Sequence, residues 1–358
     1  MRKLDLYISK KFITTFFMAL LLIIGIVIIF DISEKVDYFV KNEAPLKAII
    51  FDYYLNFIPY FINMFSPLFV FITVIFFTSR MAANSEFIAM LSGGVSYSRI
   101  LVPYVACSIL IAMLSLGLNL YVIPRSNVTR TAFEEKYFKN KTIKFRNVHY
   151  QIAPGQFVYV ESFSRWNNTA YKFTLETIED NKLKSKLEAD SAVWDSTQQC
   201  WRLRNWFIRD YTSGFEDRIT SGEKKDTVIE LTVTDFYRNE KTVETLPIRD
   251  LNQLIATQNM RGDANVMFAE IELHNRYAMP FSAIILTIMG VCLSSRKKRG
   301  GIGWNLGIGI ALAFSYILFL RFSQMFVYTG AMRASLALWT PNILFALITV
   351  FLYTKAQK

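Results

Sequence analysis

The chain has almost no histidine. His149 and His274 are the only two among its 358 residues, and neither lies in a spacing that would ligate a transition metal. Cysteine is nearly as scarce. Cys107 and Cys292 fall inside apolar runs and Cys200 in a polar segment, so there is no disulfide framework and no metal-binding cysteine pattern. No Gly-x-x-x-x-Gly-Lys-[Ser/Thr] run occurs, so the chain does not bind ATP through a phosphate loop. Composition alone leaves a Ser-His-Asp arrangement open, but no Gly-x-Ser-x-Gly elbow presents a nucleophile. The expectation is therefore no catalytic residue, no cofactor and no metal. A cleavable signal peptide is not expected either, because the apolar run Phe12–Phe30 is too long for its core and no small-x-small site follows.

What the chain does have is apolar sequence. Hydrophobic residues make up 53% and aromatic ones 15%, with 31 phenylalanines, and the mean hydropathy is +0.26. A soluble protein of this length carries more polar surface, so the class is a polytopic membrane protein. The net charge of +11 does not point to nucleic acid. Its basic residues gather at the ends of apolar runs, where orientation signals lie.

Six stretches are free of charge for long enough to span a bilayer: Phe12–Phe30, Tyr53–Ser79, Ile100–Pro124, Tyr277–Ser295, Gly300–Leu320 and Ala334–Thr354. A span needs about 20 residues at about 1.5 Å each, and in hydrocarbon the backbone must bond to itself, so each reads as a helix. Pro59 and Pro67 predict a kink in the second. Arg2, Lys3, Lys10, Lys11, Arg80, Arg99, Arg296–Arg299, Lys355 and Lys358 fall on one side if the spans alternate. The opposite loops hold Lys35, Lys41, Lys47 and Arg333, with Arg321 at the edge. By the positive-inside rule both termini are cytoplasmic.

Between the third and fourth spans lies a polar insert, 125–271, which the same rule puts outside. Arg125 to Lys144 reads as a charged helical extension. Beyond it the pattern has period two, in Phe157–Glu161, Tyr171–Ile178, Leu183–Ala189, Cys200–Ile208 and Val228–Val233, which reads as strands. Turn signals stand at Pro154-Gly155, Asn167-Asn168, Asp180-Asn181, Asp195-Ser196 and Ser213-Gly214. Regularly spaced short strands suggest an all-β sandwich or jelly-roll. After Pro247, Ile248 to Ala256 looks helical. The plan is six transmembrane helices, 1–124 and 272–358, around a jelly-roll-like β-domain.

The loop Asn84–Gly94 has the pattern of a short amphipathic helix. Asn84 or Ser85 can cap it, Phe87, Ile88 and Leu91 fall at helical spacing, and Gly93-Gly94 ends it. Taken alone it reads first as a turn lying on the bilayer surface, and second as a helix that docks in a groove of another protein. Near the outer membrane edge, Glu34, Asp37 and Lys41 share a helix face with Lys35 turned away. They read either as snorkelling interfacial charges or as lysines that meet lipid phosphates. Arg321 follows an uncharged run and needs a polar cavity, a partner or the headgroup layer. Glu272, Arg276 and Pro280 recur at intervals of four. The first two form a favourable i,i+4 pair, which on physics alone only trims the helix end.

Together these pieces resemble the lipopolysaccharide export permeases (the YjgP/YjgQ family) over the whole chain. The resemblance is carried by Leu4-Asp5-Leu6-Tyr7-Ile8, by Arg80…Ser85-Glu86…Gly93-Gly94…Arg99…Pro103, by Glu272-Leu273-His274-Asn275-Arg276…Pro280, and by Arg296…Arg299-Gly300-Gly301…Gly303. The opening residues lean toward the G type of the two permease types. The resemblance implies an ABC-type exporter subunit in the bacterial inner membrane without its own ATPase. It would pair with a second homologous permease and a cytoplasmic ATPase dimer, and pass lipopolysaccharide to periplasmic jelly-roll bridge proteins. It makes Asn84–Gly94 the ATPase-coupling helix, with Glu86 its acidic residue, and matches Lys41 to a position that meets lipid phosphates. The charges around Lys41 depart from that pattern, with Glu34 where other members can carry a base. The rival readings are a membrane-anchored scaffold or sensor, whose β-domain binds an envelope ligand without transport, and a secondary transporter. The latter predicts mid-membrane charges or Gly-broken spans, which are almost absent.

Overall fold

The computed structural model describes residues 2–138, 145–164, 166–211, 217–229, 231–233, 236, 240–263, 265–296 and 301–356. The chain divides into two units: Met1–Phe138 with Glu244–Ile248 and Glu270–Lys358, and Lys139–Val243 with Arg249–Ala269. The charged extension 125–138 thus groups with the spans. The expected features at 139–144, Ser213-Gly214, Lys297–Gly300 and Lys358 lie outside the described residues.

In the first unit the chain runs α1 (Arg2–Lys41), α2 (Leu46–Ala48), a π-helical stretch (Ile49–Tyr54), α3 (Leu55–Ala83), α4 (Glu86–Ser92), α5 (Tyr97–Gly117), a second π stretch (Leu118–Val122) and α6 (Ile123–Tyr137). After the β strands come α7 (Glu240–Val243), α8 (Ile248–Met260), α9 (Val266–Ser294), α10 (Gly301–Tyr328) and α11 (Ala334–Ala356). Among the described residues six helical runs are long and apolar enough to cross a membrane: Lys3–Lys41, Leu46–Ala83, Tyr97–Tyr137, Val266–Ser294, Gly303–Tyr328 and Ala334–Ala356. They match the six expected stretches but overrun them, because an apolar core of about 20 residues does not oblige the helix to stop at the headgroups. The second π stretch ends just before Pro124. Proline cannot donate to the ladder, and a π turn is one way for the helix to absorb the missing bond. The prolines of the second span do not end it, since α3 runs through both Pro59 and Pro67.

Helix α3 is the hub. Its Val70, Val74, Phe77 and Met81 pack against Ile8, Phe12, Phe16 and Leu20, spaced by four along α1, and against Ile100, Leu101 and Tyr104 of α5. The Phe77 and Tyr104 rings stack at 5.3 Å. Its other face, Phe71 and Ile75, meets Leu286, Met289, Ala313, Tyr316 and Phe345 from α9, α10 and α11. Gly309 of α10 lies so close to Ile75 that a β-carbon there would overlap it. The apolar window of the second span is 67% buried, against 17% for the first and 28% for the fifth. Spans one and five therefore present most of their apolar surface outward.

The second unit is built on one antiparallel sheet of β1 (Phe145–Ala153), β2 (Gln156–Ser164), β3 (Thr169–Glu179), β4 (Lys182–Asp195), β5 (Cys200–Asp210) and β6 (Arg218–Thr227), paired in chain order. The four expected strands from Phe157 to Ile208 fall within β2 to β5. The segment Val228–Val233 does not form the expected strand: its described residues carry no strand, and β6 precedes it. The reason is burial. Leu231, Val233 and Phe236 pack onto the sheet's apolar face, the Trp201 indole N–H donates to the Leu231 carbonyl at 2.7 Å, and Phe236 stacks on Phe163 at 4.4 Å. The apolar residues cover the sheet instead of extending its edge.

Alternation also slips once, along a line crossing the strands. Val160, Phe173 and Ala189 are buried in one row, and Phe163, Ala170, Ala192 and Leu203 in another. Between these rows stand two residues per strand instead of one: Glu161-Ser162, Tyr171-Lys172, Asp190-Ser191 and Arg204-Asn205. Asn147, Lys172 and Asn205 adopt left-handed φ values of 54°, 53° and 49° in alternate strands, which costs an L residue about 1–2 kcal/mol. Asp190 ties the line together by accepting from Lys172 and Asn205, each at 3.1 Å.

Candidate functional site: the loop between the second and third spans

Helix α4 has seven residues, Glu86–Ser92, preceded by Ser85 at φ 62°. Neither Asn84 nor Ser85 caps it through a side chain. The Ser85 carbonyl accepts from the Ala89 N–H at 2.9 Å, while the Asn84 amide donates to Glu86 Oε1 at 3.3 Å. The helix ends as its glycines require: Gly94 takes φ +82°, and the Gly94 and Val95 N–H groups return to the carbonyls of Leu91 and Met90 at 3.1 and 3.2 Å. Phe87, 1% exposed, joins the core of α1, α3 and α5. Ile88 at 49% and Leu91 at 41% remain exposed. The expected apolar face is thus split, with one anchor inward and an apolar pair outward.

The first helix holds this loop at both ends. Tyr7 donates its hydroxyl to Glu86 Oε2 at 2.9 Å and accepts from Lys11 Nζ at 2.7 Å, and the Lys11 ammonium lies 3.6 Å from the same carboxylate. Arg99, in the first turn of α5, pairs with Asp5 at 2.6 Å. Burial pushes the Glu86 carboxyl up, but the hydrogen bonds from Tyr7 and Asn84 and the nearby Lys11 outweigh it and hold the group below the usual carboxylate range.

A second polar cluster surrounds the start of the fourth span. Arg276, 2% exposed, donates to Glu272 Oε1 at 2.7 Å and to the carbonyls of Leu246 and Glu244 at 2.9 and 3.4 Å. The pair does more than trim a helix end, because it fastens α9 to the segment 244–248. Pro280 explains its own spacing: lacking an N–H, it leaves the Arg276 carbonyl without its helical donor, and the Asn119 amide donates there at 3.4 Å. Asn119 in turn accepts from Asn63 at 2.7 Å, and Ser115 donates to Asn63 at 2.6 Å. Spans two, three and four are joined by this buried chain.

A family model described as Lipopolysaccharide export system permease LptF/LptG matches residues 6–355. The chain belongs to this family. A search of curated proteins returns no match. The permease is a multi-pass inner-membrane protein and a transport subunit, with a role in lipopolysaccharide export.

The basic residues expected to meet lipid in this permease have different surroundings. Lys35 is already engaged. It bonds to Asp31 and to the Tyr53 hydroxyl, and its ammonium faces the rings of Tyr53, Phe57 and Phe138 at 4.9, 5.9 and 5.5 Å. Lys41 and Arg321 are exposed, with Arg321 donating to Gln324 at 3.1 Å. Beside Lys41 an apolar groove of about 410 Å³ is lined by Ile32, Val36, Phe39, Val40, Leu46 and Ile49, among others.

Sequence reasoning missed three features of the permease. Tyr7 and Lys11 were read only as motif and orientation signal, yet they meet Glu86. Arg130, 8% exposed, pairs with Glu134 and Glu244 at 3.6 and 3.7 Å and lies 4.5 Å over the Tyr60 ring. Its i,i+4 acid was the available signal. The third is a ladder of small residues on α10, Gly303, Gly307, Ala311 and Ser315, spaced by four and exposed. At both glycines a β-carbon would meet nothing within 4 Å.

Proposed function

We propose that this subunit works in an ATP-driven exporter whose ATPase is a separate ABC dimer on the cytoplasmic side. In this reading both termini and the α4 loop are cytoplasmic, and the insert 125–271, which contains the β unit, is periplasmic. The observation that carries the reading is the braced α4 loop, where an apolar pair, Ile88 and Leu91, stands out from a helix anchored by Phe87 and Glu86. A short rigid helix with an exposed apolar tip suits a partner's groove, and the sequence has no phosphate loop of its own to drive transport. Ser85, Glu86, Phe87, Leu91, Gly93 and Gly94 form the coupling element.

A second homologous permease, the sister subunit, packs on the outward faces of spans one and five. Open glycines favour close helix approach where no hydrophobic effect drives association, and α10 offers Gly303 and Gly307. Lipopolysaccharide enters between the two subunits from the outer leaflet. The apolar groove at Ile32–Ile49 takes acyl chain, while Lys41 and Arg321 meet the anionic headgroup. Lys35 contributes when Asp31 yields it. Glu272, Arg276 and Pro280 keep the chain returning from the β-domain fixed to the fourth span. The β-domain hands the lipid to jelly-roll bridge proteins. The opening motif supports the G-type assignment.

Affinity purification from native membranes tests the reading. Recovery of an ABC ATPase with a second six-span protein is the expected result, and repeated recovery of the permease alone would favour a scaffold or sensor. Glu86→Ala, at normal membrane levels, should retain the lipid site and lose ATP-dependent lipid release. Unchanged release would refute the coupling role.

A further inference from the structure

The motif Leu4-Asp5-Leu6-Tyr7-Ile8 has no task in the function above, yet its side chains lie along the coupling loop. Asp5 pairs with Arg99 after the loop, and Tyr7 bonds to Glu86 at its start. Ile8 and Phe12, both fully buried, share an apolar core with Phe87 and Tyr97. Two turns of the first helix thus touch the loop at its start, at its anchor and at its end.

The polar contacts have a fixed sense. An ammonium only donates and a carboxylate only accepts, so the Tyr7 hydroxyl must accept from Lys11 and donate to Glu86. The chain Lys11→Tyr7→Glu86 orients the carboxylate from below. The pairs are half-buried, with side-chain exposures of 27% and 30% for Lys11 and Glu86 and 31% and 33% for Arg99 and Asp5. They are therefore less screened than fully exposed surface pairs. The first span, meanwhile, is the least buried of the six. Its contacts follow one face, through Ile8, Phe12, Phe16 and Leu20, and at its far end Phe39 packs with Tyr53 and Phe133.

We propose that Asp5, Tyr7 and Lys11 are positioning residues that make the coupling loop and the first span move as one body, so that force received at the loop is delivered to the first span. The inference rests on the coupling role of the loop and adds the route by which the push leaves it. It gives Tyr7 and Lys11 the work of setting the Glu86 carboxylate, and the Asp5–Arg99 pair the work of preventing the loop from hinging away from α1.

Charge exchange in the purified ATPase–permease complex in lipid nanodiscs tests it, reading lipid released per ATP hydrolysed. Asp5→Arg and Arg99→Asp are each expected to lower that ratio about fivefold or more, the scale of a coupling between sites. The double exchange Asp5→Arg with Arg99→Asp is expected to recover much of the ratio, because effects at residues in direct contact are not additive. Tyr7→Phe should lower the ratio while the ATPase still co-purifies at wild-type stoichiometry. Single variants within about twofold of wild type, or a double exchange no better than the worse single, would overturn the proposal. So would loss of the ATPase from the singles, because the residues would then serve assembly. A wild-type complex that releases no lipid on ATP hydrolysis would refute the coupling reading itself, independently of these variants.

Discussion

Replacing Arg276 by methionine keeps most of the apolar stem and removes the guanidinium. The structure sets the cost. Arg276 is 2% exposed and satisfies one carboxylate oxygen and two main-chain carbonyls. Breaking a buried ion pair by deleting one partner costs about 3–5 kcal/mol. Glu272, whose side chain is 20% exposed, can regain some water, which favours the lower end, about 3 kcal/mol. At roughly 2–4 °C per kcal/mol for a unit of this size, the melting temperature should fall by about 10 °C. Arg276→Lys, which keeps the charge but loses the planar fork, should cost about half as much. The permease carries its own reporters, because Cys107, Cys200 and Cys292 are free and buried. In a Cys200→Ser background a thiol-reactive fluorogenic maleimide reads only Cys107 and Cys292, both in the helical unit. Melting the intact protein in detergent with that dye gives the shift directly. A methionine variant that melts within about 2 °C of its parent would refute the argument that this cluster holds segment 244–248 to the fourth span.

Three further outcomes can be checked. At the line where the sheet's alternation slips, Lys172 has φ 53° and already bears the left-handed cost of about 1–2 kcal/mol, so Lys172→Gly should not destabilise the β unit, while the β-branched Lys172→Ile should destabilise it despite its higher strand propensity. Denaturation followed through Cys200 separates the two, and an isoleucine variant as stable as wild type would sink the idea. The Glu86 carboxyl is held below its ordinary value in the folded loop, so its contribution is fully present above the ordinary carboxylate range and is lost only as pH falls through the lowered value. Hydrogen exchange of 84–94, corrected for intrinsic rate, should be flat from about pH 8 to about pH 5, and Tyr7→Phe should move the acid loss upward toward the ordinary value of about 4.3. An unmoved midpoint would count against the Tyr7 bond. Gly307 faces open space, so Gly307→Leu should leave the subunit's own melting unchanged but deplete the sister permease on purification. Undiminished recovery would remove α10 from that interface.

The membrane plan was legible because hydrocarbon leaves few choices. An uncharged run of sufficient length must be a helix, and all six appear. The strands were legible wherever one face is buried and the other exposed, as in Phe157–Glu161. They were illegible at the edges. Arg218–Thr227 is exposed on nearly every residue, so β6 has no apolar alternation to announce it and exists through its backbone pairing with β5. Conversely, Val228–Val233 has the composition of a strand, but its Leu231 and Val233 are buried in the cover over Trp201. Local pattern records whether a side chain is to be buried, not whether its backbone will pair.

The polar sites show the same limit at the level of side chains. The interval of four in Glu272, Arg276 and Pro280 was visible, and it predicted the ion pair. It did not reveal that Arg276 reaches segment 244–248, because those carbonyls lie about thirty residues back in the chain, at Leu246 and Glu244. Nor did it reveal Asn119, 157 residues away. The proline does, however, contain half of that contact. A helix interrupted by Pro280 must leave the Arg276 carbonyl unpaired, and in hydrocarbon such a group requires a donor from elsewhere. The apolar runs offer few side-chain amides, among them Asn63 and Asn119 in the second and third stretches. Tyr7 and Glu86 follow the same logic. A carboxylate at the start of a helix whose cap does not bond to it needs donors, and the first helix supplies a tyrosine already oriented by a lysine one turn on. At both ends of the bundle, then, the unmet need of one group in the chain, rather than a linear motif, identifies the distant residue that meets it.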